Sequence, residues 1–171
     1  MNEAMKNIMA RRSVREFSDK PISADVLKEI TEAGIAAPSG MNRKTWHFTI
    51  VTDQKKIADL AKAIGGVIDR KDYNFYQPTA LIIPSNDPEN HLGADDNACA
   101  MQNIMLAAQS FGVGSVWINQ LKGICNEPTI RTQLDTLKIP GNYVVFGLAA
   151  LGFPKNDFPP AHEFTGNYDI V

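Results

Sequence analysis

Arg11-Arg12-Ser13-Val14-Arg15 places three guanidiniums and a hydroxyl within five residues. Arginine presents a planar fork of donors that matches a phosphate, and it stays charged at any working pH. The serine hydroxyl adds a donor of the same reach. Such a stretch reads either as an anion clamp or as the solvated basic end of a helix, where the macrodipole favours cations. A second polar stretch, Ala37 to Phe48, holds Pro38, Ser39, Gly40 and Asn42. The amide of Asn42 offers both a donor and an acceptor.

Other chemistries lack their residues. Ser13 and Ser39 have no histidine near them in sequence, and neither sits in a Gly-x-Ser-x-Gly elbow. No Gly-x-Gly-x-x-Gly opens a helix and no P-loop is present. Gly112-Val113-Gly114-Ser115 is glycine-rich but precedes an expected strand, so it does not set a phosphate at a helix start. Asp87, Glu89, Asp95 and Asp96 lie near His91 without a ligand spacing; Asp95 and Asp96 read as dipole-favoured charges at a helix start. Cys99 and Cys125 form neither a framework nor a metal pair, and both read as reduced, with Cys99 in the core. If the chain is an enzyme, the reactive group is therefore expected from a cofactor, leaving the protein to bind, orient and tune it.

The elements that must carry these stretches follow from periodicity. Ala4, Met5, Ile8 and Met9 share one face of a helix over 3–11, which delivers the arginines at its end. Ser23 caps a helix striped with Val26, Leu27, Ile30, Ala33 and Ala37, and Pro38 stops it. Ser39 to Asn42 is a loop in which Gly40 is free to take positive φ. Trp46 to Val51 alternates as a strand, and Asp53 caps a helix bearing Ile57, Leu60, Ala61 and Ile64 that Gly65-Gly66 closes. Ala80 to Ile83 is a buried strand. Asn97 to Phe111 is a helix apolar almost all round, placed at the domain centre or in a subunit interface, and Gly112 ends it. Ser115 to Ile118 is a strand, Asn126 caps a helix with Ile130, Leu134 and Leu137 inward, and Tyr143 to Leu151 is the longest strand. Pro154, Pro159, Pro160 and Gly166 leave the tail irregular. Pattern alone predicts a three-layer α/β domain.

Composition bounds the answer further. The 171 residues are 44% apolar and 21% charged, with net charge −2, which suits one globular domain. No general basic field exists, so nucleic acid is not an expected partner. No apolar run approaches the roughly eighteen residues that span a bilayer. The Met1–Lys6 start has no signal-peptide pattern, so the expected location is cytoplasmic.

The chain resembles the nitroreductase family of FMN-dependent oxidoreductases. The family's Arg-Arg-Ser-x-Arg-x-Phe is Arg11 to Phe17 here, and its Pro-Ser-x-x-Asn-x-Gln-Pro-Trp-x-Phe is Pro38 to Phe48, with Lys44-Thr45 in place of Gln-Pro. Asn-x-x-Leu-Ala-Ala-x-x-x-Gly-x-Gly-Ser-x-Trp is met by Asn103 to Trp117, and Ala-Leu-Gly-x-Pro by Ala150 to Pro154.

The resemblance implies an α+β fold with a central mixed, mostly antiparallel sheet flanked by helices, dimeric, with residues 1–171 as a single nitroreductase-like FMN-binding domain. It implies hydride transfer from NADH or NADPH through flavin N5 to a small-molecule acceptor such as a nitroaromatic or quinone, with no catalytic side chain and no metal. Arg11 and Ser13 would take the phosphate, Arg12 would contact the ribityl-phosphate region, and Arg15 would sit by N1 and O2 of the ring. Pro38, Ser39, Gly40 and Asn42 would reach the same flavin from the other subunit of a homodimer. Val116, Trp117 and Asn119 would lie beside the ring's other face. A basic residue near the C-terminus usually meets the phosphate; Lys155 or His162 takes that place here. Lys71 or Asn74 would face the flavin from the segment before Ala80. A flavin-binding protein without redox turnover is the alternative, and a phosphate- or nucleotide-binding module without flavin a third.

Overall fold

The computed structural model describes residues 1–163 and 165–171. In chain order its elements are α1 (Glu3–Ala10), α2 (Ala24–Ile35), a 3₁₀ turn (Gly40–Asn42), β1 (Trp46–Val51), α3 (Gln54–Val67), β2 (Ala80–Asn86), α4 (Gly93–Ser110), β3 (Gly114–Ile118), α5 (Pro128–Thr136) and β4 (Leu148–Gly152). The four strands form one sheet in the order β1-β2-β4-β3, with every strand pair antiparallel. The parallel pairing among the described residues is the isolated bridge Ser13–Ser115. The fold is α+β, as the resemblance implies, rather than the α/β domain that pattern alone predicts.

Alternation along the strands sorts the core into two layers. Leu81, Ile83, Val116, Ile118, Leu148 and Ala150 face α3 and α5. Ala80, Ile82, Ala149 and Leu151 face α2 and α4, where Ile30, Met101 and Ile104 cover them. β2 is buried along its whole length, which explains its continuous apolar run.

The local signals act as their chemistry dictates. Ser23 Oγ accepts the Val26 N–H, and Asp53 accepts the Lys55 and Lys56 N–H groups. Gly112 takes φ +67° after α4.

Several expectations are corrected. α4 begins at Gly93, four residues before Asn97, because a turn from Gly93 N–H to the Asn90 carbonyl starts it early. α3 runs through Gly65-Gly66 to Val67. The cap of α5 is Glu127, not Asn126, with Pro128 at the first helical position. The strand expected over Tyr143 to Leu151 is β4 alone; residues 143–147 make one bridge, Val144 to Asn86, and an apolar run does not separate a strand from a buried connection. Cys99 is exposed, sharing an outward stripe of α4 with Asp95 and Gln102, whereas Cys125 is buried. Positive φ in the 39–44 loop falls on Met41, Asn42 and Lys44, not on Gly40.

Candidate functional site

The arginine stretch leaves α1 and crosses the end of the sheet at β3 and β4. Val14 N–H donates to the Ser115 carbonyl at 3.0 Å, Phe17 bridges Pro154, and Ser18 N–H donates to the Phe153 carbonyl at 2.9 Å. Val14 is buried while Arg15 is exposed, as an extended segment's alternation demands. Arg11, Ser13 and Arg15 therefore share the outer side. Two glycines seat the segment. A Cβ on Gly114 would stand 2.9 Å from Val14 Cβ, and one on Gly152 would stand 2.9 Å from Phe17 Cβ. The glycine-rich run before β3 is thus a floor for the arginines rather than a phosphate loop.

The donors are free to take a ligand. Among the described residues, no carboxylate bonds Arg11, Arg12 or Arg15. The nearest acid in sequence, Glu16, accepts from Asn156 Nδ2 at 3.0 Å. Arg12 Nη1 lies 3.4 Å from His162 Nδ1, and His162 N–H donates to the Met9 carbonyl. His162, rather than Lys155, therefore joins the arginine group. Lys155 is exposed and its N–H donates to the Glu16 carbonyl. A cleft of about 340 Å³ runs between Ser13–Glu16 and Pro154–Pro159.

β3 is an edge strand beside this cluster. Its Ser115 carbonyl points to the open edge toward Val14, so the Trp117 N–H and carbonyl, two residues on, face the same edge. Val116 is 3% exposed and turned into the α3/α5 layer, so only its backbone can meet a ligand. Trp117 is half-buried over the α2/α4 layer, and a Cβ on Gly147 would crowd its indole. Asn119 is exposed just past the strand.

From residues 69–78 one side chain, Tyr76, reaches the arginine stretch. Phe75, Tyr76 and Gln77 have φ of 54°, 67° and 55°, a left-handed turn whose Gln77 N–H donates to the Asn74 carbonyl at 2.9 Å. Side chains pay for such φ, so the turn needs anchors. Phe75 is buried at 1% exposure, and Asn74 Oδ1 accepts the Tyr76 N–H at 3.0 Å. The turn aims Tyr76 at Arg15, whose guanidinium carbon lies 5.8 Å from the ring centre. Tyr73 donates to Gln120 Oε1 at 3.3 Å, and burial pushes its phenol well above the ordinary range. Asn74 and Lys71 both line a separate cleft with Phe17 and α3. Sequence reasoning did not find Tyr76; its only signal was the crowding of Tyr73, Phe75 and Tyr76.

The second stretch lies elsewhere. Gly40 N–H donates to Asp96 in the first turn of α4, whereas Val14 meets Gly114 beyond its last. At 1.5 Å per residue the helix alone sets the two stretches roughly 20 Å apart. The sheet agrees, because Trp46 and Asn86 pair at one end and Ala80 and Leu151 at the other. Pro38 and Asn42 are exposed there, and Ser39 Oγ accepts the Lys44 N–H at 3.1 Å. One chain does not bring the two stretches together.

The family model described as Nitroreductase family matches residues 8–153. A relative in Archaeoglobus fulgidus, provisionally named NADH dehydrogenase/NAD(P)H nitroreductase, is 32% identical over 92% of this chain and 88% of its own. An NADPH-flavin oxidoreductase of Vibrio harveyi is 31% identical over 92% and 68%. A crystal structure of a Bacteroides fragilis nitroreductase with bound FMN covers both chains completely, at 39% identity and a TM-score of 0.93.

Proposed function

The chain belongs to the nitroreductase family, and from that premise we propose how its residues serve an FMN-dependent NAD(P)H oxidoreductase. The observation that carries the assignment is the cluster of guanidiniums and a hydroxyl beside the open edge of β3, free of carboxylate partners among the described residues. That donor set fits a flavin mononucleotide, with a dianionic phosphate at one end and a ring with polar edges at the other.

Arg11 and Ser13 hold the phosphate, and Arg12 with His162 closes its far side. Arg15, held beneath Tyr76, faces the N1–O2 edge of the ring. The Trp117 backbone at the strand edge lies along one face of the flavin, with Asn119 beyond it. Lys155, exposed beside Pro154 in sequence, adds a long-range cation. The bound FMN supplies the redox chemistry, taking hydride from NADH or NADPH and passing the electron pair to an acceptor such as a nitroaromatic or quinone. No side chain here is needed as a general acid or base.

Pro38, Ser39, Gly40 and Asn42 complete the site from a second subunit, since their own chain keeps them roughly 20 Å from its arginines. The apolar face of α1 supports a homodimer. No α1 residue is buried, and Met5 and Ile8 are 36% and 42% exposed. Among the described residues no helix is long and apolar enough to cross a membrane.

The absorption spectrum of the purified protein tests this directly. Bands of oxidised flavin that NADH or NADPH bleaches without oxygen are expected. Bands that resist bleaching indicate a flavin store, and a protein that takes up no flavin removes the assignment.

A further inference from the structure

The loop 38–45 is held by a buried polar network. Asp96 is 3% exposed; its Oδ1 accepts the Gly40 N–H at 2.7 Å and its Oδ2 accepts Asn90 Nδ2 at 2.9 Å. The same Asn90 amide donates to Thr45 Oγ1 at 2.9 Å, and Thr45 Oγ1 donates to Asn86 Oδ1 at 2.6 Å. Asn86 Nδ2 reaches Asn97 Oδ1 at 3.4 Å. Asn86, Asn90 and Asn97 are all buried.

Burying a carboxylate without a cation is costly unless hydrogen bonds and a dipole compensate. Among the described residues Asp96 has no salt-bridge partner, and its compensation is the Gly40 N–H, the Asn90 amide and the start of α4. What this arrangement holds is an exposed loop with Met41, Asn42 and Lys44 at φ of 51°, 55° and 50°. Non-glycine residues keep such conformations only when their surroundings over-determine them, and they cluster at functional sites. Thr45 belongs to the same device. Where the family pattern has a proline that stiffens the backbone, this chain has a hydroxyl that ties the loop to Asn86 and Asn90.

We propose that Asp96 is a positioning residue for flavin binding: through the Gly40 N–H it fixes the 39–42 loop in the shape that meets the ring of the flavin held by the second subunit. The inference rests on the reading of that loop as the second limb of the flavin site. The Asp96 carboxylate does not touch the cofactor. It sets where Ser39 and Asn42 stand, and Thr45 secures it through Asn90.

The test titrates FMN and riboflavin into apo-protein carrying Asp96→Ala, Asp96→Asn or Arg11→Ala. Loss of the charged hydrogen bond that holds the binding loop from behind predicts about tenfold weaker binding for Asp96→Ala. Riboflavin and FMN should weaken by the same factor, because the loop addresses the ring. Arg11→Ala should weaken FMN and spare riboflavin. Asp96→Asn keeps an acceptor for Gly40 but turns its amide nitrogen onto the Asn90 Nδ2 donor, so it should return part of the affinity. A purely structural role would lower the melting temperature of Asp96→Ala while leaving both affinities at the parent value, and that result overturns the proposal. If Asp96→Ala does not fold, Thr45→Val removes a single oxygen and should weaken both flavins by about threefold, the smaller loss expected of a neutral hydrogen bond; parental affinity there overturns it equally. A mixed dimer of Asp96→Ala and Arg11→Ala subunits should keep one parental site. A parent protein that binds no flavin instead removes the site assignment itself.

Discussion

The arginine segment lies on the sheet and is held by backbone, through Val14 to Ser115, Phe17 to Pro154 and Ser18 to Phe153. The 38–45 loop stands off the sheet and is held by side chains, through Asp96, Asn90, Thr45 and Asn86. The first scheme leaves its guanidiniums without carboxylate partners among the described residues, because backbone groups fix the strip. The second consumes polar side chains to fix a loop that is itself exposed, with Pro38, Met41, Asn42, Arg43 and Lys44 at the surface. A strip that must grip a dianion needs unspent charge. A loop that must fit a ring edge needs shape. Substitutions in the strip should therefore change which flavin binds, and substitutions around the loop should change how well any flavin binds.

The largest expected effect tests that contrast at the phosphate. Arg11→Ala should weaken FMN binding by about 2 kcal/mol or more, since charge-assisted hydrogen bonds contribute about 1.5–3 kcal/mol. Isothermal titration with FMN and riboflavin measures it. Equal affinity of the parent protein for the two flavins would erase the distinction between the limbs.

Next comes the seat beneath the strip. Gly114→Ala puts a methyl 2.9 Å from Val14 Cβ, an atom too close to the backbone to swing aside. Overpacking of this kind costs about 1–3 kcal/mol, and the lower half of that range is expected at the end of a sheet. The melting temperature and FMN affinity should fall together, because the displaced segment carries the donors. Lost stability with unchanged FMN affinity would show that the strip tolerates movement and is not geometrically set by the sheet.

The same contrast explains what could be read from sequence. Arg11, Ser13 and Arg15 declare themselves by type and spacing within one short stretch. The members of the Asp96 network are scattered from Thr45 to Asn97, so no local pattern announces them. Asp96 reads as an ordinary acid at a helix start, which it also is. Thr45 reads only as a departure from the family pattern until Asn86 and Asn90 are placed beside it. Strand faces were legible from alternation in Trp46–Val51, whereas Tyr143–Gly147 misled because burial without pairing leaves the same apolar signature. Cys99 misled because α4 carries small residues all round, and its outward stripe differs little in polarity from its inward one. Tyr76 stayed hidden because a left-handed turn without glycine has no sequence mark.

A smaller effect is expected at Arg15. The reduced flavin carries a negative charge that the oxidised form lacks, so a cation at N1 and O2 favours the product of hydride transfer. Two unit charges about 4 Å apart attract by roughly 4 kcal/mol at an effective dielectric of about 20. Desolvation and the exposure of Arg15 reduce this to about 1–2 kcal/mol, as for other charged hydrogen bonds. With 30 mV equivalent to about 1.4 kcal/mol for two electrons, Arg15→Gln should lower the midpoint potential by about 20–45 mV with FMN still bound. A redox titration at one pH measures the shift, and an unchanged potential would place Arg15 away from the ring.

The smallest effect separates Arg15 from what holds it. The Tyr76 ring lies 5.8 Å from the Arg15 guanidinium carbon, and the turn at 75–77 fixes the ring through the buried Phe75. At an exposed position such a contact is worth about 0.5–1 kcal/mol. Only part of that reaches the flavin, because Arg15 without the ring still visits the same position for part of the time. Tyr76→Leu should therefore lower the midpoint potential by about 5–15 mV, a fraction of the Arg15→Gln shift by the same conversion. Tyr76→Phe keeps an aromatic face and should leave the potential at the parent value, which separates the ring from the hydroxyl. The sign carries the decision. A potential that falls in Tyr76→Leu means the ring steadies Arg15 against the flavin. A potential that rises means the ring draws the cation away, and the left-handed turn would then restrain the site rather than assemble it. In the double variant Tyr76→Leu/Arg15→Gln the Tyr76 contribution should vanish, since two residues acting through one contact do not add.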